Sequence, residues 1–241
     1  MRAILVLVAT IGTIVFNGLA ATGYINGVTP EVISGKYPTV LTPAGYAFTI
    51  WSLIYVGMLA FSIYQLLPAN IAKYSRVRSL YIISCVLNCA WIFFWHRDQI
   101  GVCLAIILAL LATLLLLCIK LKEQATPTDS LCSKAPFGIY FGWVTCASIV
   151  NFAIFIAYMG WGQISAAVGC IFIVFAAVCA IVVRWRLTNY LYPLAVAWAL
   201  TAIAVKQSGN TPIVVTAAFA VVTCIVTVGS IVTSLKDSTS E

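Results

Sequence analysis

Charge is what this sequence has least of. Only 8% of its 241 residues are charged, six of them acidic, and there is a single histidine. Soluble surfaces are roughly a quarter charged, so a water-soluble domain of this length is excluded. No Asp or Glu falls inside the long apolar stretches. That argues against proton-coupled transport, which needs a titrating group at membrane depth, and against hydrolytic chemistry. His96 closes an apolar run beside Arg97 and Asp98. It has no carboxylate, serine or cysteine at a spacing that would make it a general base, and reads as an interfacial residue.

Metal-ligand spacing is also missing. The nine cysteines include no C-x-x-C pair; eight lie in apolar runs and Cys132 in a link. They read as small buried hydrophobes rather than as metal ligands. The formal net charge is +7, but the basic residues are dispersed, which excludes a nucleic-acid surface and instead suggests basic loops at a membrane.

What is present is apolar length. Hydrophobic residues make up 63% of the chain, and the mean hydropathy is +1.09. The fold class expected is all-α, a polytopic membrane helix bundle of about eight transmembrane helices. The spans are placed at residues 3–22, 42–65, 80–95, 100–119, 136–159, 163–183, 187–205 and 212–234. The first is taken as uncleaved despite its resemblance to a signal peptide. Residues 23–41 form a long loop with Pro30, Gly35 and Pro38; connections of that length often serve as lids.

Eight spans put alternate links on opposite sides. The N-terminus, the even-numbered links and the tail carry Arg2, Lys73, Arg76, Arg78, Lys120, Lys122, Lys134, Arg184, Arg186 and Lys236. The other side carries Lys36, Arg97 and Lys206. Ten against three predicts that both termini are cytoplasmic.

Polar groups at membrane depth are mostly amides. Asn17, Asn88 and Asn151 fall in the first, third and fifth spans. Asn88 and Trp91 are three apart; Trp143, Ala147 and Asn151 are spaced four and four; Trp51 and Tyr55 are four apart. Each set shares a helix face. Two readings stand side by side: hydrogen bonds between helices, or the wall of a pocket for a flat apolar ligand.

Three stretches carry a resemblance to a known family. PAGYAFTIWSLIYVGM from Pro43, LNCAWIFFWHRDQIGVCLA from Leu87 and WVTCASIVNFAIF from Trp143 occur in order. They resemble the proline-led W-x-x-x-Y, the L-N-x-x-W-x-x-x-F and the W-x-x-F-A-x-x-L-N motifs of the tryptophan-rich sensory protein, or translocator protein (TspO/MBR, peripheral benzodiazepine receptor), family. The likeness covers residues 3–159, and WALTAIAVKQ further on resembles the longer members. It implies a TspO-like five-helix ligand-binding bundle over residues 1–160, with three additional transmembrane helices and a short polar tail over residues 161–241.

The resemblance further implies a pocket under the 23–41 loop that takes porphyrins, sterols or synthetic aromatic ligands. Carried over, Pro43, Trp51, Tyr55, Asn88, Trp91, Trp143, Ala147 and Asn151 line or support it. A tetrapyrrole would be a ligand rather than a cofactor. Ile106 stands near the position of an acidic residue found in many members, and no Lys or Arg closely follows Tyr158; this favours porphyrin over sterol. The function expected is a membrane receptor or sensor. The alternatives are a transporter of small hydrophobic solutes or lipids, and a light-dependent porphyrin-degrading enzyme using Trp51 and Trp143. The expected partners are the lipid bilayer, a hydrophobic small molecule such as porphyrin and, as an open question of assembly, a second copy in a homodimer; nucleic acid is not among them.

Overall fold

The computed structural model describes residues 2–123 and 126–237, and those residues contain helices and no strand. The elements are α1 (Arg2–Ala21), α2 (Pro30–Lys36), α3 (Ile50–Tyr64, led in by a 3-10 turn, Gly45–Thr49), α4 (Arg78–Trp95), α5 (Ile100–Leu121), α6 (the single turn Pro127–Asp129), α7 (Ala135–Tyr158), α8 (Ala166–Arg186), α9 (Leu191–Lys206) and α10 (Thr211–Asp237). Among the described residues seven helical segments are long and apolar enough to cross a membrane. The eighth expected span, α9, has only 16 residues, about 24 Å at the helical rise, against a hydrocarbon core of about 30 Å.

Short as it is, α9 still runs from one end of the bundle to the other. Before its first turn, the Asn189 amide donates to the Lys134 carbonyl (2.7 Å). Past its last turn, the Gln207 amide donates to the Thr39 carbonyl (2.9 Å). The remaining links sort the same way. One end holds Gln65 on the Ala3 carbonyl, Lys73 on Asp129 and Lys134 on Thr188. The other end holds Asn26 on the His96 carbonyl and Lys36 on Asp98. The basic-rich links therefore gather at one end, as alternating spans require.

Several boundaries differ from the sequence reading. The sequence places the second span from residue 42, but Pro43 precedes the helix, and a tight 3-10 turn comes before α3. The 23–41 loop contains the two-turn helix α2, which Pro30 begins and whose first and last turns carry Glu31 and Lys36. A π turn, Ser130–Lys134, leads into α7, where Pro136 has no N–H to offer the preceding turn. α9 begins at Leu191 rather than at residue 187, because Thr188 takes a left-handed conformation (φ 50°) and Asn189 then caps the new helix, accepting from the Leu191 and Tyr192 amides (3.2 Å each).

The central element is α7. It packs against α3, α5, α8 and α9 and is apolar on every side, as an enclosed helix must be. Its approach to α9 depends on two small residues one turn apart. A Cβ on Gly138 would lie 1.9 Å from Asn189 Oδ1, and one on Gly142 would lie 2.6 Å from the Tyr192 carbonyl oxygen. Lipid offers no hydrophobic drive between helices, so such close backbone contact and polar joints hold the bundle together. One joint ties α1, α3 and α4: the hydroxyls of Thr10 and Ser62 (2.5 Å), Thr10 and Tyr81 (2.5 Å), and Ser62 and Tyr81 (3.2 Å) share hydrogen bonds in a fully buried cluster.

Candidate functional site: an indole- and amide-lined cavity

The described residues line a partly open cavity of about 40 Å³ between α3, α4, α5, α7 and α9. A water needs roughly 10–15 Å³ of such space, so it has room for about three. Of the eight residues singled out from sequence, seven line it: Pro43, Trp51, Asn88, Trp91, Trp143, Ala147 and Asn151. Tyr55 does not. It stacks on the side of Trp51, ring centroids 5.6 Å apart at 20°, one turn further along α3.

Sequence reasoning missed several lining residues: Ser34, Phe48, Trp95, Ile107, Leu110, Val144, Cys146, Val150, Ala199 and Ile203. Trp95 carried a usable signal, since it continues the Asn88–Trp91 face by one more turn. Ala199 and Ile203 come from α9, outside the first five spans. α1 supplies no lining residue and reaches the site only through Asn17, whose amide donates to Asn88 Oδ1 (2.8 Å).

The indoles are held at fixed angles. Trp51 meets Trp143 edge-on at 6.4 Å, and Phe48 meets Trp143 edge-on at 5.9 Å. Trp91 and Trp95 stack at 5.1 Å and 22°. Two indole N–H groups are spoken for: Trp91 donates to Asn151 Oδ1 (3.3 Å) and Trp95 to the Pro30 carbonyl (3.1 Å). Asn151 in turn donates to the Ala147 carbonyl one turn back (2.9 Å). The amides join helices, and Asn88 and Asn151 also line the cavity. Ser34 brings a hydroxyl side chain to the cavity wall. No charged side chain lines the space.

α2 forms the cover on one side, and side chains strap it to the turn between α4 and α5. Asn26 donates to the His96 carbonyl (2.9 Å), and Lys36 and the Tyr37 hydroxyl both reach Asp98 Oδ2 (3.2 and 3.1 Å). Burial raises the Tyr37 phenol above its ordinary value, and the Asp98 carboxylate beside it raises it further. Asp98 itself sits at positive φ (60°) in that turn. Among the described residues no three His, Cys, Asp or Glu side chains come together as a metal site would need.

Fold and site define a polytopic helical membrane protein whose central spans line an uncharged, indole-rich cavity under a strapped helix. A family model described as TSPO-like protein matches residues 3–232, and the chain belongs to that family. The match continues through α8 and α9 and into α10, beyond the 3–159 stretch where the sequence motifs lie. No curated protein and no solved structure matches the chain. Membership makes this an integral, multi-pass membrane protein of the sensor, receptor or transporter kind, in contact with the lipid bilayer.

Proposed function

We propose that the protein is a membrane receptor or sensor that takes a flat hydrophobic ligand of the porphyrin class into the central cavity. The observation that carries this reading is convergence. Trp51, Trp91, Trp95 and Trp143, with the amides of Asn88 and Asn151, come from three separate helices to one uncharged space. Planar rings offer a planar apolar guest stacking and edge contacts, and a few amides and a hydroxyl orient its polar rim. Ser34 and Asn88 are the polar groups best placed for that rim.

Room for three waters is too little for a macrocycle. Binding in this reading therefore displaces lining rings, with Phe48 and Trp51 the movable pair because the short 3-10 turn carries one and the first turn of α3 the other. Residues 1–160 form the binding bundle; residues 161–241 add three helices, of which α9 closes one wall. The basic-rich end, with both termini, faces the cytoplasm.

Tryptophan fluorescence titrated with protoporphyrin tests the reading. Saturable quenching is expected, weakened in Trp51→Ala and in Trp143→Ala. Absence of saturation, or quenching that both variants leave unchanged, sinks it. The uncharged lining also supports a second reading, facilitated passage of a small hydrophobic solute. Flux into liposomes that responds to Asn88→Ala would favour passage over binding alone.

A further inference from the structure

At the basic-rich end, the link between α3 and α4 and the last turn of α5 enclose a second, surface groove of about 510 Å³. Lys73, Ser75, Arg76, Lys120 and Glu123 line it, with Val77 and Ile119 on its apolar side. It is separate from the central cavity and shares no residue with it.

The fold sets which charges in this groove are committed. Tyr74 is buried, and its hydroxyl donates to Asp129 Oδ1 (2.7 Å). That contact pins the link and brings Lys73 onto Asp129 Oδ2. Arg78, buried two residues beyond Arg76, is spent on the Gln65 side chain (2.7 Å) and on the Gln65 and Ile71 carbonyls (3.3 and 2.7 Å), with no carboxylate beside it. Arg76 and Lys120 are exposed and have neither ion-pair nor hydrogen-bond partner among the described residues. Glu123 opposes them with one charge; Lys122 follows Lys120 at the same helix end. With Asp129 answering Lys73, the balance around the groove is positive.

The groove also borders exposed apolar surface. Ile119, Leu116 and Leu115 on α5 and Ile71 on the link are all exposed. A ligand that satisfies both halves has an anionic head and apolar tails. We propose that the groove seats the headgroup of an anionic phospholipid, with its phosphate against Arg76 and Lys120 and its acyl chains along the exposed face of α5. Basic pockets at membrane level attract such headgroups at about 1 kcal/mol per cation. A free phosphate shares the head chemistry and lacks the tails. The inference does not depend on what the central cavity binds.

The test uses the full chain reconstituted into vesicles of phosphatidylcholine with a minor share of phosphatidylglycerol. The protein is then extracted in mild detergent and its retained lipids are counted by native mass spectrometry. Arg76→Gln with Lys120→Gln should lower phosphatidylglycerol retention about fivefold per charge, roughly 25-fold together. The same charge change at the same end, Arg2→Gln with Arg186→Gln, should leave it unchanged. Glu123→Gln should raise retention, a gain that misfolding cannot mimic. Unchanged retention in the first pair, or an equal loss in the control pair, overturns the proposal. So does displacement of the lipid by millimolar inorganic phosphate, which would make the groove a site for small anions.

Discussion

The indole N–H of Trp91 on α4 donates to the side-chain oxygen of Asn151 on α7, 3.3 Å away, across the wall of the central cavity. This bond does two jobs at one point: it joins two spans and it fixes the face that one indole shows to the cavity. Trp91→Phe should leave that oxygen without its partner and cost about 1–2 kcal/mol. The check is thermal unfolding in detergent, read alongside porphyrin quenching; a variant as stable as the parent would show that the bond contributes nothing.

Asn17 and Asn88 invite a double-mutant cycle. Their bond (2.8 Å) is the polar tie between α1 and the cavity wall. Asn17→Leu and Asn88→Leu should each destabilise, and the pair together should cost less than the two added. The coupling expected is about 0.6–2 kcal/mol. Strict additivity would mean the amides act independently.

Gly142 should tolerate no side chain. An added Cβ would lie 2.6 Å from the Tyr192 carbonyl and 2.9 Å from Ala195 Cβ, so backbone has to move. Gly142→Ala is expected to cost about 1–3 kcal/mol by overpacking, seen as a lower melting temperature and loss of monodisperse protein. Gly12, with nothing near its Cβ position, is the control, and Gly12→Ala should be close to neutral.

Asp129 is a buried carboxylate that accepts from Tyr64 (3.0 Å), Tyr74 (2.7 Å) and Thr126 (2.6 Å) and pairs with Lys73. Asp129→Leu strands several donors and should cost about 3–5 kcal/mol. Lys73→Ala should cost clearly less, since three hydroxyls still serve the carboxylate and the lysine is partly exposed. Equal losses would show that the ion pair, not the hydroxyl cage, holds the link.

The α2 strap should weaken in alkali. Because the folded state raises the Tyr37 phenol above its unfolded value, the stability it brings is present below about pH 10 and is lost as pH rises through the folded value. The melting temperature should therefore fall at alkaline pH, with a smaller drop in Tyr37→Phe. Asp98→Asn should move the Tyr37 titration down, read by fluorine-labelled tyrosine.

Much of the site was legible because its residues repeat at helical spacing. Asn88 with Trp91, and Trp143 with Ala147 and Asn151, share faces whose direction the helix dictates. The same rule placed Tyr55 with Trp51, and it does stack there, but one further turn carries it away from the cavity. Ser34 was hidden because α2 is too short to show a periodic pattern. Ala199 and Ile203 were hidden because α9 is apolar on all sides and gives no face to read. Asp129 sits in the link before the fifth span, where no helical spacing marks it; its partners Lys73 and Tyr74 lie more than fifty positions away. Sequence also showed the two-sided sorting of basic links, since alternation of spans needs no tertiary knowledge.

The glycine pair on α7 bears on how the chain is made. Synthesis delivers α7 before α9, so for a time Gly138 and Gly142 present a bare notch, along with the Thr145 hydroxyl that Tyr192 later joins, to whatever lies beside them. Lipid chains fill such a notch poorly. The nascent helix must wait in a half-finished membrane state, or in the care of the insertion machinery, until its late-arriving neighbour slides into place. A chain truncated after α8 would be stuck at that stage.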